Sequence, residues 1–135
     1  MAPIGRWLFA LSLAVYLFTA GGSLTTTDAV VTFDVTRNLV DHGRPAMSGN
    51  LIGRDWHQGP DGRYYAPFGI GQSIYNVPWY LAAKAITAVT HLHVGKPDTM
   101  AKAIVALAQT LLGAAVIWQL FRFASAVTGN ASAAG

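Results

Sequence analysis

Asp28, Asp34, Asp41, Asp55, Asp61 and Asp98 are the only acidic side chains in a sequence that contains no glutamate, and carboxylates are among the groups that can move a proton. Asp28 stands where an apolar stretch gives way to a helical pattern. A carboxylate there would lie just above a membrane surface, near the positive end of a helix dipole. The same place also favours Asp for a plainer reason, because a helix start has free backbone N–H groups to satisfy. Asp34 and Asp41 are two helical turns apart, so both fall on one side of the helix that follows, solvated or paired with Arg37. Asp55, His57 and Asp61 lie close in the chain, but neither a His-x3–5-His pair nor an acidic triad at ligand spacing is present, so no metal site is assigned. His91 and His93, two residues apart, would point in different directions on a helix and receive no role. Asn130-Ala131-Ser132 matches a glycosylation sequon, a pattern too short to carry weight.

Three apolar stretches and one polar loop must position these groups. The first expected span covers residues 7–24, reads WLFALSLAVYLFTAGGSL after Arg6, and carries no charge. A cleaved signal peptide ending near Thr19-Ala20-Gly21 is the alternative; two further apolar stretches downstream favour a retained span. Residues 25–67 form the loop. Val31, Val35 and Leu39 recur at helical spacing and Gly43 supplies a stop, which predicts a helix from about Asp28 to His42. Its other side holds Asp34, Arg37, Asn38 and Asp41, an amphipathic pattern suited to lying along a membrane face. Gly59-Pro60-Asp61-Gly62 is a turn signal, and Tyr64, Tyr65 and Phe68 lead back towards the interface.

The second expected span, 68–89, carries Gln72, Ser73, Asn76, Pro78 and Lys84, polar groups that imply burial against other helices. Pro78 either lies well inside this helix or in the first turn of a shorter one running from Val77 to Val89, and Lys84 can snorkel to the interface. After a loop at 90–102 comes the third span, 103–121, closely bracketed by Lys102 and Arg122 and with Trp118 as an interfacial anchor. Gly113, Ala114 and Ala115 would let another helix approach closely. Residues 122–135 form a small, weakly polar tail.

Composition agrees with a lipid setting: 53% of the residues are hydrophobic and 11% charged, against about 25% charged in soluble domains. Such a chain is too apolar for intrinsic disorder, and the lack of Cys excludes a disulfide-stapled scaffold. The net charge of +3 is dispersed along the chain without a basic run, so the bilayer and not a nucleic acid is the expected partner. With the N-terminus inside, Arg6, Lys84, Lys96 and Lys102 face the cytoplasm, while Arg37, Arg44, Arg54, Arg63 and Arg122 face out. These totals nearly balance, but all three Lys fall on one side and the offending loop is long, where the positive-inside rule is weakest; a cytoplasmic N-terminus is preferred. The expected fold is an all-α integral membrane protein with three transmembrane helices and an amphipathic helix in a long first extracytoplasmic loop.

The order of these parts resembles the N-terminal region of GT-C type polytopic membrane glycosyltransferases, the superfamily of protein O-mannosyltransferases and lipid A aminoarabinose transferases. The segments TTTDAVVTFDVTRNLVDHG (25–43) and DGRYYAPFGIGQSIYNVPWYLAAK (61–84) carry the resemblance and cover about a third of the chain. It implies a polyprenyl-phosphate sugar donor, a location in the bacterial inner (plasma) membrane, and a catalytic aspartate just after the first span, which by position is Asp28. By the same resemblance Asp34 would assist. Two departures stand out. Asp28 is followed by Ala29, where the family often has Glu, and the re-entry reads Tyr65-Ala66-Pro67, where some relatives place a Lys that meets the lipid phosphate. Arg63 beside Tyr65 would then supply the substrate contact, as a bidentate fork to phosphate. The resemblance names no cofactor.

Members of that superfamily have many more spans, so the chain is expected to be the N-terminal part of a longer enzyme and inactive alone. Two other readings remain open. One is a small three-span protein without catalysis, a subunit or scaffold packing through Gly113, Ala114 and Ala115. The other is a secreted domain released near Ala20, in which residues 103–121 form a soluble core helix.

Overall fold

A computed structural model describes residues 3–49, 56–90 and 98–128. The chain divides into two compact units, Gly22–Val105 and Met1–Gly21 with Ala106–Gly135. Four helices are present among the described residues: α1 (Pro3–Thr19), α2 (Thr27–His42), α3 (Gly71–Thr90) and α4 (Thr99–Val127). A two-stranded hairpin, β1 (His57–Gln58) and β2 (Tyr64–Tyr65), lies between α2 and α3 in sequence.

In the Gly22–Val105 unit, α2 is the element on which the rest is built. Thr26 caps its start, its hydroxyl accepting from the Ala29 N–H at 3.3 Å. Gly43 ends it in the left-handed conformation (φ 66°), which an L side chain adopts only with strain. Gly43 and Arg44 then donate their N–H groups to Leu39 and Asn38 carbonyls at 3.1 and 3.2 Å, satisfying the last turn. The expected helix from Asp28 to His42 is therefore present, one residue longer at its start.

Its surroundings differ from the amphipathic expectation. The six consecutive residues from Val31 to Thr36 are all buried, and six successive positions at about 100° each point in every direction around a helix. This stretch of α2 is enclosed, and no polar side is left over to lie along a membrane face. One side packs Phe33 against Tyr80, Ala83, Ala101 and Val105, with the Phe33 and Tyr80 rings edge-to-face at 5.7 Å. Another packs Val31 and Val35 on Met47, with Trp56 and Ala66 alongside. Between α2 and α3 runs a seam of small hydroxyls: Thr36 donates to the Ser73 carbonyl at 3.1 Å, and Ser73 donates to the Thr32 carbonyl at 3.2 Å.

The second apolar stretch folds as α3, which begins at Gly71 rather than Phe68 and carries Pro78 in its interior. Of the two sequence readings of Pro78, the interior one holds; the ring leaves the Ile74 carbonyl without its usual helical donor. Tyr80 and Lys84 both reach back to α2, where they donate to Asp41 at 2.8 and 2.7 Å.

The other unit joins α1 to the C-terminal part of α4. Gly113 sits so near Tyr16 that a Cβ on it would lie 3.0 Å from the ring, and Gly5 faces Trp118 and Phe121. Arg122 lies over the Trp118 ring at 5.1 Å. The outer surface is apolar: Trp7 is 75% exposed, Phe18 93% and Phe123 69%. Large apolar side chains left open in this number are compatible with a lipid setting.

Among the described residues α4 is the one helix long and apolar enough to cross a membrane by length and composition, and it contains the whole of the third expected span. The first expected span, 7–24, is cut short. α1 stops at Thr19, before the Gly21-Gly22 pair, and its 17 residues rise only about 25 Å, short of a hydrocarbon core of about 30 Å.

Candidate functional site

The sequence-derived site residues divide between the two ends of α2. At the N-terminal end, Asp28 lies in the first turn and is exposed. The N-cap is Thr26, so the plain capping duty belongs to the threonine. The Asp28 carboxylate makes no hydrogen bond or ion pair among the described residues, while its backbone carbonyl accepts the Thr32 hydroxyl at 2.7 Å. What remains is an open carboxylate beside the positive end of a helix, a place that stabilises negative charge.

Asp34 is not beside it. Six residues further on, it points about 120° away around the helix and is 3% exposed. Its two oxygens accept four groups: the Ser48 N–H at 2.7 Å, the Ser48 hydroxyl at 2.8 Å, Asn38 Nδ2 at 3.3 Å, and the Arg37 guanidinium. Asn38 also donates to the Ala46 carbonyl at 2.7 Å. A carboxylate so fully engaged has no lone pair left for a substrate proton; its work is to fasten residues 46–48 onto α2. Arg37 extends the fastening, its Nη1 donating to Asp98 at 3.1 Å. Asp98 takes a left-handed backbone (φ 68°) immediately before α4, and its carbonyl accepts the Lys102 N–H at 2.8 Å. The pairing of Asp34 with Arg37 was legible from spacing, whereas its burial was not.

Arg63 and Tyr65 lie at the hairpin, where they meet Asp61. The turn follows its sequence signal: Gly62 donates to the Gly59 carbonyl at 3.0 Å and Gly59 to the Arg63 carbonyl at 2.8 Å. Tyr65 Oη donates to Asp61 Oδ2 at 2.8 Å, and the Arg63 N–H and guanidinium reach the same carboxylate at 3.1 and 3.4 Å. The Tyr65 hydroxyl and the Arg63 N–H hold Asp61 below the usual carboxylate range, and the same Asp61 bond, aided by desolvation, pushes the Tyr65 phenol up. Met47 donates its N–H to the Tyr64 carbonyl at 2.9 Å, so the hairpin is tied to the segment that Asp34 holds.

That tie brings Arg63 to the C-terminal end of α2. It borders a cleft of about 440 Å³ with Asn38, His42, Arg44, Ala46, Met47 and Ser48. From Asp28 to His42 the helix rises about 21 Å, so Arg63 does not share a reaction centre with Asp28. A separate apolar groove of about 220 Å³ is lined by Val35, Pro45, Tyr65, Ala66, Phe68, Gly69, Ile70 and Ser73. Asp41 is engaged on the remaining side. Partial desolvation pushes its carboxyl up, but the bonds from Lys84 and Tyr80 and the Lys84 charge outweigh this and leave it below the ordinary range.

Among the described residues no three His, Asp or Glu side chains come together as metal ligands. His57 and Asp61 both belong to the hairpin region, while Asp55, His91, His93 and the Asn130 sequon lie outside the described residues. No family model, curated protein or solved structure matches this chain.

Proposed function

We propose that residues 1–135 are the N-terminal region of an integral-membrane glycosyltransferase that moves a sugar from a polyprenyl-phosphate donor to an extracytoplasmic acceptor. The observation that carries this reading is the Asp28 carboxylate, exposed and without a partner among the described residues, nine residues after the apolar helix α1 in sequence and at the start of a helix fixed on several sides. In this role Asp28 takes the proton of an acceptor hydroxyl as that oxygen attacks the anomeric carbon. The bond from that carbon to the lipid phosphate breaks, and the polyprenyl phosphate leaves with the electron pair. α4 crosses the membrane, α1 and α3 enter it as a shorter and a less apolar helix, and the N-terminus is cytoplasmic in a bacterial plasma membrane. Asp34 serves by holding the loop, and Arg63 and Tyr65 are given no contact with the group that reacts at Asp28.

The non-catalytic scaffold reading has less support, since the small residues meant to receive a partner are already used: Gly113 faces Tyr16 and Ala114 is fully buried. The test is Asp28→Asn in the complete protein, assayed for sugar transfer in membranes. Transfer should fall by at least about a hundredfold, the usual scale for removing a general base, while the protein stays in the membrane after alkaline-carbonate extraction. Undiminished transfer by Asp28→Asn would end the proposal.

A further inference from the structure

We infer that the cleft at the C-terminal end of α2 binds a phosphate group, at a site separate from Asp28. Arg44, Arg63 and His42 line it together with the polar side chains of Asn38 and Ser48. Arg44 follows the helix stop at Gly43, and its guanidinium makes no ion pair or hydrogen bond among the described residues. Arg63 spends one nitrogen on Asp61 at a long 3.4 Å, and its remaining donors are uncommitted among the described residues. Two guanidinium groups on one concave surface present forked N–H donors that match the oxygens of a phosphate.

The nearby carboxylates do not cancel them. Asp34 is saturated by Arg37, Asn38 and Ser48, and Asp41 is held by Tyr80 and Lys84. Among the described residues, Asp61 is the one acid paired with a lining arginine, and only at 3.4 Å. A helix C-terminus ordinarily repels an anion; here the Gly43 and Arg44 N–H groups already quench the Asn38 and Leu39 carbonyls. The scaffold is firm, because Ser48 is fixed by Asp34 and Met47 by the hairpin. The ligand is a phosphate monoester or a phosphate-bearing lipid headgroup.

The test uses the full chain in neutral detergent with two probes read by calorimetry, inorganic phosphate and a short-chain soluble phosphatidic acid, with the matching short-chain phosphatidylcholine as blank. Saturable binding of both probes supports a site for the phosphate group itself, and binding of the phosphatidic acid alone supports a lipid headgroup. Each of Arg44→Gln and Arg63→Gln should weaken binding about tenfold or more, as expected for losing a charge-assisted contact. Arg6→Gln, which removes an equal charge from α1, should leave it unchanged, as should Asp28→Asn; the latter separates this site from the glycosyltransferase reading. Circular dichroism of the variants should match the parent, since both arginines are exposed. Absence of binding to either probe, or an equal loss in Arg6→Gln, overturns the inference.

Discussion

Replacing Asp34 by Asn tests whether one buried carboxylate holds the first half of the Gly22–Val105 unit together. The substitution keeps the shape but turns an acceptor oxygen into an amide that faces donors, and it leaves Arg37 without its nearer counter-charge. Breaking a buried ion pair from one side costs about 3–5 kcal/mol. Two features reduce this: the Arg37 side chain is 31% exposed, and it retains Asp98 at 3.1 Å. A loss of about 2–4 kcal/mol is expected, large beside the roughly 5–15 kcal/mol of a whole domain. The direct readout is hydrogen exchange at the Ser48 amide, which donates to Asp34 at 2.7 Å. At about 1.4 kcal/mol per factor of ten, its exchange should speed up roughly 30- to 700-fold. Asp61→Asn, at an exposed turn, should leave that amide within about threefold of the parent. If Ser48 exchanges in Asp34→Asn as it does in the parent, residues 46–48 are held by something else and the account of Asp34 fails.

Three further outcomes follow from contacts of the same kind. Asp41 has a folded pKa below its unfolded 3.8, so its contribution to stability is present above that value and drains away as pH falls through the lower folded value; an acid titration followed by tryptophan fluorescence should show a transition at higher pH in Lys84→Met than in the parent. Gly59→Ala would put a Cβ 2.7 Å from the Tyr65 ring, so it should displace the phenol from Asp61 and return the Tyr65 pKa towards 10, as should Asp61→Asn; absorbance titration at the phenolate band checks both. Gly113→Val should separate α1 from α4 because of the 3.0 Å approach to Tyr16, lowering thermal stability in detergent by about 1–3 kcal/mol, and an unchanged melt would show that the contact is not closely packed.

The sequence announced α2 because the cues there are local: apolar spacing at Val31, Val35 and Leu39 and a glycine where the helix must stop. The Gly59–Gly62 turn was legible for the same reason. Burial of Asp34 was not, since it depends on Ser48 and Ala46 folding back over the helix, and nothing in the spacing of α2 says that a following loop will cover its polar side. The same covering turned an apparent amphipathic helix into an enclosed one. The early end of α1 could have been read from Gly21-Gly22, but the lack of charge up to Leu24 masked it. The resemblance also put Asp28 and Arg63 to work on one sugar-phosphate donor, whereas the bond from Met47 to Tyr64 ties the hairpin to the segment beyond the far end of α2.

The Arg37 fork has a consequence in time as well as in space. Its first acceptor, Asp34, is made before it and Ser48 shortly after, but Asp98 is 61 residues downstream. At about 5–20 residues per second, a ribosome takes roughly 3–12 s to cover that interval. During synthesis Asp34, Arg37 and Ser48 can therefore settle as a local knot while α3 is still being made. Asp98 arrives last, at the threshold of α4, and closes a loop whose two ends are joined by one guanidinium.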